Sequence, residues 1–366
     1  MRDSLKSQCD SFILNRDILK ENFRMESCSL IHACAHVFLY KNVTADLEKL
    51  KECAKILGNG ASGIPCFSGT SKLPLISMLA VSADPEGKFK CAMEIYKKFV
   101  SESFQTESTA IAAMILADTI SVDAVDQYIC RGKEIYTSIK KKCPFLTTEK
   151  DSVFSILMAS SDKSNDELIA EIMNIYTVMK NSFSYSNAVR SLSCVLSFGE
   201  GTVDEKCNKV NNLFFAIKEK GRNYGIRNEL PILGAAAMLS VDSGAVINDI
   251  IEADDYLSAQ KSLGDWNINN YSHRLMNAAM LVINDHSDNT NINCSSTTIH
   301  ICNNRLSRHS LANKNISYAV IAVILSALAI VDEQQAADNR AKRYGEARKQ
   351  EEEEREERMR QYRALF

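Results

Sequence analysis

Proline and glycine are scarce, 5 and 14 in a chain of 366 residues, with no proline after Pro231. Many-stranded β proteins need a far higher density of turn residues, so this scarcity excludes a sandwich or barrel and points to helices. An excess of one charge is also lacking. The 43 Lys and Arg face 46 Asp and Glu, a formal net charge of −3, which excludes a surface built as a whole for nucleic acid. The opening MRDSLKSQCDSFIL has no uninterrupted apolar segment of the kind that heads a secretory leader. The 12 Cys are therefore expected to be reduced, and none stand in C-x-x-C spacing. Cys91, Cys130, Cys194 and Cys207 fall on helical apolar stripes and read as core-filling small hydrophobes.

Long hydrophobic runs are almost absent. The exception, Ile316–Val331 (ISYAVIAVILSALAIV), would cover about 24 Å of a hydrocarbon core about 30 Å thick, so it reads as a buried helix before a membrane anchor. Catalytic signatures are missing too. GNGASG at 58–63 has no following Gly-Lys-Ser/Thr, and LSFGEG at 196–201 is not a nucleophile elbow.

What is present is a period of about forty residues. The dyads Ile95-Tyr96, Ile135-Tyr136 and Ile175-Tyr176 recur at spacings of 40, followed by Leu213-Phe214 and a weaker Asp255-Tyr256. Apolar patches around Leu79, Leu116, Met158, Leu196, Leu239 and Leu281 recur alongside them. Each unit thus holds two elements. The second is a helix, since Phe89, Met93, Tyr96 and Val100 fall on one face, as do Leu168, Ile172, Ile175 and Met179. The first carries a small residue three positions before its anchor (Ala113, Ser155, Ser193, Ala236, Ala278), which permits close helix approach. Acidic residues precede the second helices and lysines such as Lys140–Lys142 close them, both complementing the helix dipole. Ser, Thr and Asn in the stretches between units are placed to cap the first helices. Tyr96, Tyr136, Tyr176, Phe214 and Tyr256 form the packing signature, with Tyr136 and Tyr176 expected buried.

Cys28, His32 and His36, each four apart, would line one helix face, a spacing that suits a divalent metal. No fourth ligand and no H-E-x-x-H glutamate accompany them, so buried histidines are the plainer reading and no metal or cofactor is expected. Asn284 to Asn315 is rich in Asn, Ser and Thr and reads as a long loop. Residues 332–366 carry 10 acidic and 9 basic residues, the pattern of a solvated charged helix.

The run from LPLISMLAVSADPEGKFKCAMEIYKKFVSESFQTES through IYTSIKKKCPFLTTEKDSVFSILMASS to LGAAAMLS resembles the bacterial family named domain of unknown function 4003 over roughly residues 10–283. The resemblance implies a cytoplasmic bacterial protein and brings no catalytic or ligand residues with it.

These observations give an all-α chain: an α-α superhelix of about five to six helical hairpins, elongated or curved, with an N-terminal helical cap and a C-terminal helix. Its parts are 1–72 (cap and Gly-rich loop), 73–283 (hairpins), 284–315 (polar loop), 316–331 (apolar helix) and 332–366 (charged tail). The expected function is a non-enzymatic scaffold for a protein or peptide partner, without nucleic acid. The rivals are a metal- or small-ligand enzyme using the His32/His36 region and a membrane adaptor anchored by Ile316–Val331.

Overall fold

A computed structural model describes residues 1–101, 107–119, 124–142, 155–260 apart from 157, 160, 162, 200, 228 and 240, and 271–288, together with Gly345 and Arg348. The apolar run 316–331 and, but for those two residues, the charged tail lie outside the described residues. So does the polar stretch after Asp288.

The described residues form thirteen α-helices and no strand. They are α1 (Asp3–Asn22), α2 (Cys28–Tyr40), α3 (Leu47–Gly60), α4 (Lys72–Ala80), α5 (Pro85–Ser101), α6 (Glu107–Thr119), α7 (Val125–Lys142), α8 (Asn165–Met179), α9 (Ser186–Ser197), α10 (Val203–Glu219), α11 (Leu230–Ala237), α12 (Ser243–Ser258) and α13 (Tyr271–Asp288). The last runs five residues into the stretch expected to be loop.

The helices sort into two layers by their sequences. α2 is buried without a break from Leu30 to Leu39, α4 from Leu73 to Ala80 and α11 from Leu230 to Ala236. A helix that is apolar all round belongs in an interior. The helices α1, α3, α5, α7, α8, α10 and α12 keep one apolar stripe and one wet face, and they form the outer layer. The small residues Ala113, Ser155, Ser193, Ala236 and Ala278 are all buried in the inner layer. Gly234 serves the same end, since a Cβ there would come within 2.3 Å of Leu192 Cδ1 on α9.

Contacts run in a closed circuit. Inner neighbours are α2 on α4, α4 on α6, α9 on α11, α11 on α13, and α13 back on α2. Outer neighbours follow in step, from α3 on α5 through α10 on α12, and α12 on α1. Between α6 and α9 the helical residues Ile156 and Met158 lie against α7, Ile156 meeting Gly132 and Met158 clustering with Ile135 and Ile139. The contacts therefore run back from the last hairpin to the first as a ring, and residues 3–40 supply the hairpin α1–α2 of that ring.

Bonds between outer helices share one sense of offset. Lys98 in the last turn of α5 pairs with Asp126 in the first turn of α7 at 2.8 Å. Asn165 at the start of α8 donates to Glu134 in the middle of α7 at 2.9 Å, and Lys206 in the first turn of α10 pairs with Glu171 of α8. Tyr256 near the end of α12 donates to Asp10 in the middle of α1. The junction of α12 with α1 thus repeats the tilt of the other steps. Arg2 closes it at one end, pairing at 2.7 Å with both Asp249 and Asp285. His36 closes its interior, with Nε2 2.9 Å from Asn277 Oδ1.

Cations fasten the layers together at the C-termini of the inner helices, where carbonyls lack intrahelical donors. Lys88 Nζ donates to Met78 O at 3.0 Å and to Asp118 at 2.7 Å. Arg131 donates to Ala159 O at 3.1 Å and Ser161 O at 2.7 Å, and Lys163 to Ser197 O at 2.8 Å. Side-chain caps among the described residues fall chiefly on outer helices, and the caps expected at α9 and α11 are not made, while the stretches before α6 and α13 lie outside the described residues. Ser164 with Glu167 and Thr202 with Glu205 form capping boxes, and Asp46 and Asp242 cap α3 and α12. Among inner helices Ser27 caps α2, while Tyr185 and Glu229, at the starts of α9 and α11, make no side-chain cap.

The nine described cysteines are free thiols. Cys194 and Cys207 fill core as expected, but Cys91 is half-buried and Cys130 exposed, because each sits at the edge of its helix's apolar stripe.

Two predictions follow from this packing. A Cβ at Gly132 would lie 2.8 Å from the Cα of Ile156, so Gly132→Ala should lower stability by about 1–3 kcal/mol. Gly58, in α3 with nothing within 4 Å, should gain about 0.5–1 kcal/mol as Ala; urea denaturation of both variants checks the contrast. The second concerns pH. Burial holds the His36 imidazole down to about 4 against 6.5, opposed by its bond to Asn277. The unfolded chain takes up the proton first, so this stability is complete above pH 6.5 and about 3 kcal/mol of it is lost as pH falls towards 4. The fall in urea midpoint between pH 7.5 and 5 should shrink in His36→Gln, and an unchanged fall would assign it elsewhere.

Candidate functional site

Because the hairpins alternate direction, the N-termini of the inner helices gather at one end of the ring, together with the C-termini of the outer helices. The dipoles of the outer helices dictate the charge there. Lys97, Lys140, Lys141, Lys142, Lys218 and Lys220 close outer helices at this end and are exposed, as are Arg24 and Arg227 in the adjoining connections, Lys72 at the start of α4, and the acidic Glu21 and Glu219. The opposite end carries exposed Asp46, Glu48, Asp84, Glu86, Asp166, Glu167, Asp204 and Glu205 at outer-helix starts. Exposed lysines are thus concentrated at the ends of α7 and α10, whereas between α5 and α7 the two kinds of helix end meet, Lys98 pairing with Asp126.

At the basic end three consecutive inner helices, α11, α13 and α2, bring polar side chains together. Ser29 Oγ, in the first turn of α2, lies 3.4 Å from His273 Nδ1 on α13. His273 Nε2 lies 3.7 Å from Glu229 Oε1 at the start of α11. Glu229 is buried, its other oxygen accepting the Arg227 N–H at 3.2 Å. Gly225 makes room for this carboxylate, since a Cβ there would come within 2.2 Å of its Cδ. Tyr224 is enclosed beside it, and burial pushes its hydroxyl well above the usual range. One turn further in, His273 O accepts from Asn277 Nδ2 at 2.7 Å, and Asn277 meets His36. Exposed Tyr185 flanks the mouth of this cluster, with the Arg227 guanidinium 4.5 Å from its ring centroid, and Met25 is exposed in the α1–α2 connection.

The residues singled out from the sequence take other places. Cys28 is half-buried at the start of α2, while His32 and His36 are buried on successive turns. Phe12 of α1 packs against both imidazoles, with centroids 5.9 and 4.6 Å away. Among the described residues no three His, Cys, Asp or Glu side chains converge as a metal-holding group. In the dyads the aliphatic member takes the core: Ile95, Ile135 and Ile175 are fully buried. Tyr96 is buried too, but Tyr136, Tyr176, Phe214 and Tyr256 are part-buried against the core rather than enclosed by it. Burying an Ile outright contributes about 1.5–3 kcal/mol, so the aliphatic residues carry most of the dyads' packing.

Ser29, Glu229 and His273 were invisible to motif reading because they lie 44 and 244 residues from one another in the chain. Their sole sequence cue is position, since each opens an inner helix.

No curated protein and no solved structure matches the chain. A family profile described as "Protein of unknown function (DUF4003)" matches residues 15–304. The match spans most of the chain and nearly every described helix, and the chain belongs to this family.

Proposed function

We propose that this protein is a helical-repeat scaffold that binds a protein or peptide partner through the basic end of the ring, and that the partner segment is acidic. The observation that carries the reading is the concentration of exposed lysines at the ends of α7 and α10, Lys140, Lys141, Lys142, Lys218 and Lys220. Lysines concentrated where the inner helices begin create a field that attracts anionic groups and speeds encounter. The starts of α9 and α11 add to it, because their first N–H groups lack a side-chain cap and favour negative charge. Exposed Tyr185 supplies apolar contact beside Arg227, the residue types that anchor interfaces. Among the described residues no helix is long and apolar enough to cross a bilayer; Ile316–Val331, on which the membrane alternative rests, lies outside them.

The test is fluorescence anisotropy with a labelled 20-residue peptide rich in Glu and Asp. Affinity should fall steeply with salt, and Lys140→Glu/Lys141→Glu/Lys142→Glu should weaken it about tenfold or more. These lysines are exposed, so circular dichroism should stay unchanged. Equal binding of a Lys-rich peptide, or indifference to the charge reversal, would overturn the reading. Tighter binding of a single-stranded oligonucleotide would replace the partner class.

A further inference from the structure

The geometry points to a second capability at the same mouth: Ser29, His273 and Glu229 form a nucleophile, base and orienting carboxylate for acyl transfer from carboxylic esters. A serine hydroxyl is a weak nucleophile until a neighbouring base takes its proton. His273 stands 3.4 Å away, the loose spacing that such pairs show without substrate. The far ring nitrogen faces a buried carboxylate at 3.7 Å, which favours the imidazolium formed when the proton arrives. Glu229 is fixed for this task by the Arg227 N–H and by the space at Gly225. The position of Ser29 adds a further element. Its backbone N–H lies in the first turn of α2, where no intrahelical acceptor exists, and the dipole there favours an oxyanion. Ser29 is half-buried and the His273 side chain is 20% exposed, so a substrate carbonyl can reach both.

The chemistry balances without a cofactor. Ser29 Oγ bonds to the ester carbonyl carbon while its proton passes to His273. The carbon–oxygen bond to the alcohol then breaks, and His273 returns the proton to the departing oxygen. Water attacks the acyl-Ser29 ester with His273 again as base, releasing the carboxylic acid and restoring the hydroxyl. Glu229 acts through His273 and is a positioning residue. This inference is independent of the acidic-partner reading, since peptide binding can persist with an inert Ser29.

A fluorophosphonate carrying a reporter tests it on the full chain, with p-nitrophenyl butyrate as a turnover substrate. We expect one covalent adduct, mapped to Ser29 by peptide mass, absent in Ser29→Ala and formed at least a hundredfold more slowly in His273→Gln. Ser29→Ala removes one oxygen and should leave the circular dichroism and urea midpoint near those of the parent. Glu229→Gln should slow labelling about tenfold and move its pH profile to lower pH, because the imidazole loses the charge that favours its protonation; a purely structural role would leave the profile in place. Labelling of the parent no faster than of Ser29→Ala, or an adduct on another residue at a rate indifferent to His273, would overturn the inference.

Discussion

The contact between the first hairpin and the last is the constraint on which the rest of this structure depends. Helices α1 and α2 pack against α12 and α13, so the apolar faces that would otherwise be left bare at the two ends of a stacked array cover each other. The interaction is apolar in its bulk and polar at its fixed points. Phe12 seats against His32 and His36, His36 meets Asn277, and Arg2 binds two carboxylates that burial would otherwise leave costly. The same closure brings Ser29 to His273, so the mouth's chemistry exists because the ends meet.

Much of the architecture was legible locally. The stripe of Leu168, Ile172, Ile175 and Met179 marks an outer helix, and the small residues at Ala113, Ser193, Ala236 and Ala278 mark inner ones, since burial follows spacing along a single helix. The acidic starts and basic ends of outer helices were also readable, and they leave exposed lysines grouped at the ends of α7 and α10. Closure was not legible, because periodicity records neighbours in sequence and is silent on whether the curvature brings residue 2 to residue 285. The dyad tyrosines misled for a related reason. A stripe of given spacing fixes the direction a side chain faces, but whether Tyr136 is enclosed or rests at the edge depends on the next helix round. The candidate site was the least legible part, because His32 and His36 share a helix face while Ser29, Glu229 and His273 share a place drawn from three helices.

Division of labour between the layers explains the sequence economy. The inner helices α2, α4, α9 and α11 are short and apolar, while α13 is longer and carries Arg274 and Asp285. Most side-chain caps, and the cations Lys88 and Arg131 that reach the terminal carbonyls, sit on outer helices. Lys88 shows the balance this demands. Burial pushes its ammonium down, Asp118 holds it up, and the carbonyl of Met78 takes another of its donors. A lysine is tolerated inside because a carboxylate and a helix-end carbonyl together answer its head group.

The meeting of α12 with α1 also bears on how such a chain can change over time. An open stack can lengthen or shorten by duplicating or losing one hairpin, since each unit touches its neighbours alone. In a ring the tilt from each outer helix to the next is shared round the whole circumference. An added hairpin would alter every crossing angle at once and pull Asp10 from Tyr256 and Ser29 from His273. Closure therefore locks the hairpin count, and variation is channelled into the connections at the mouth and into whatever follows the last helix.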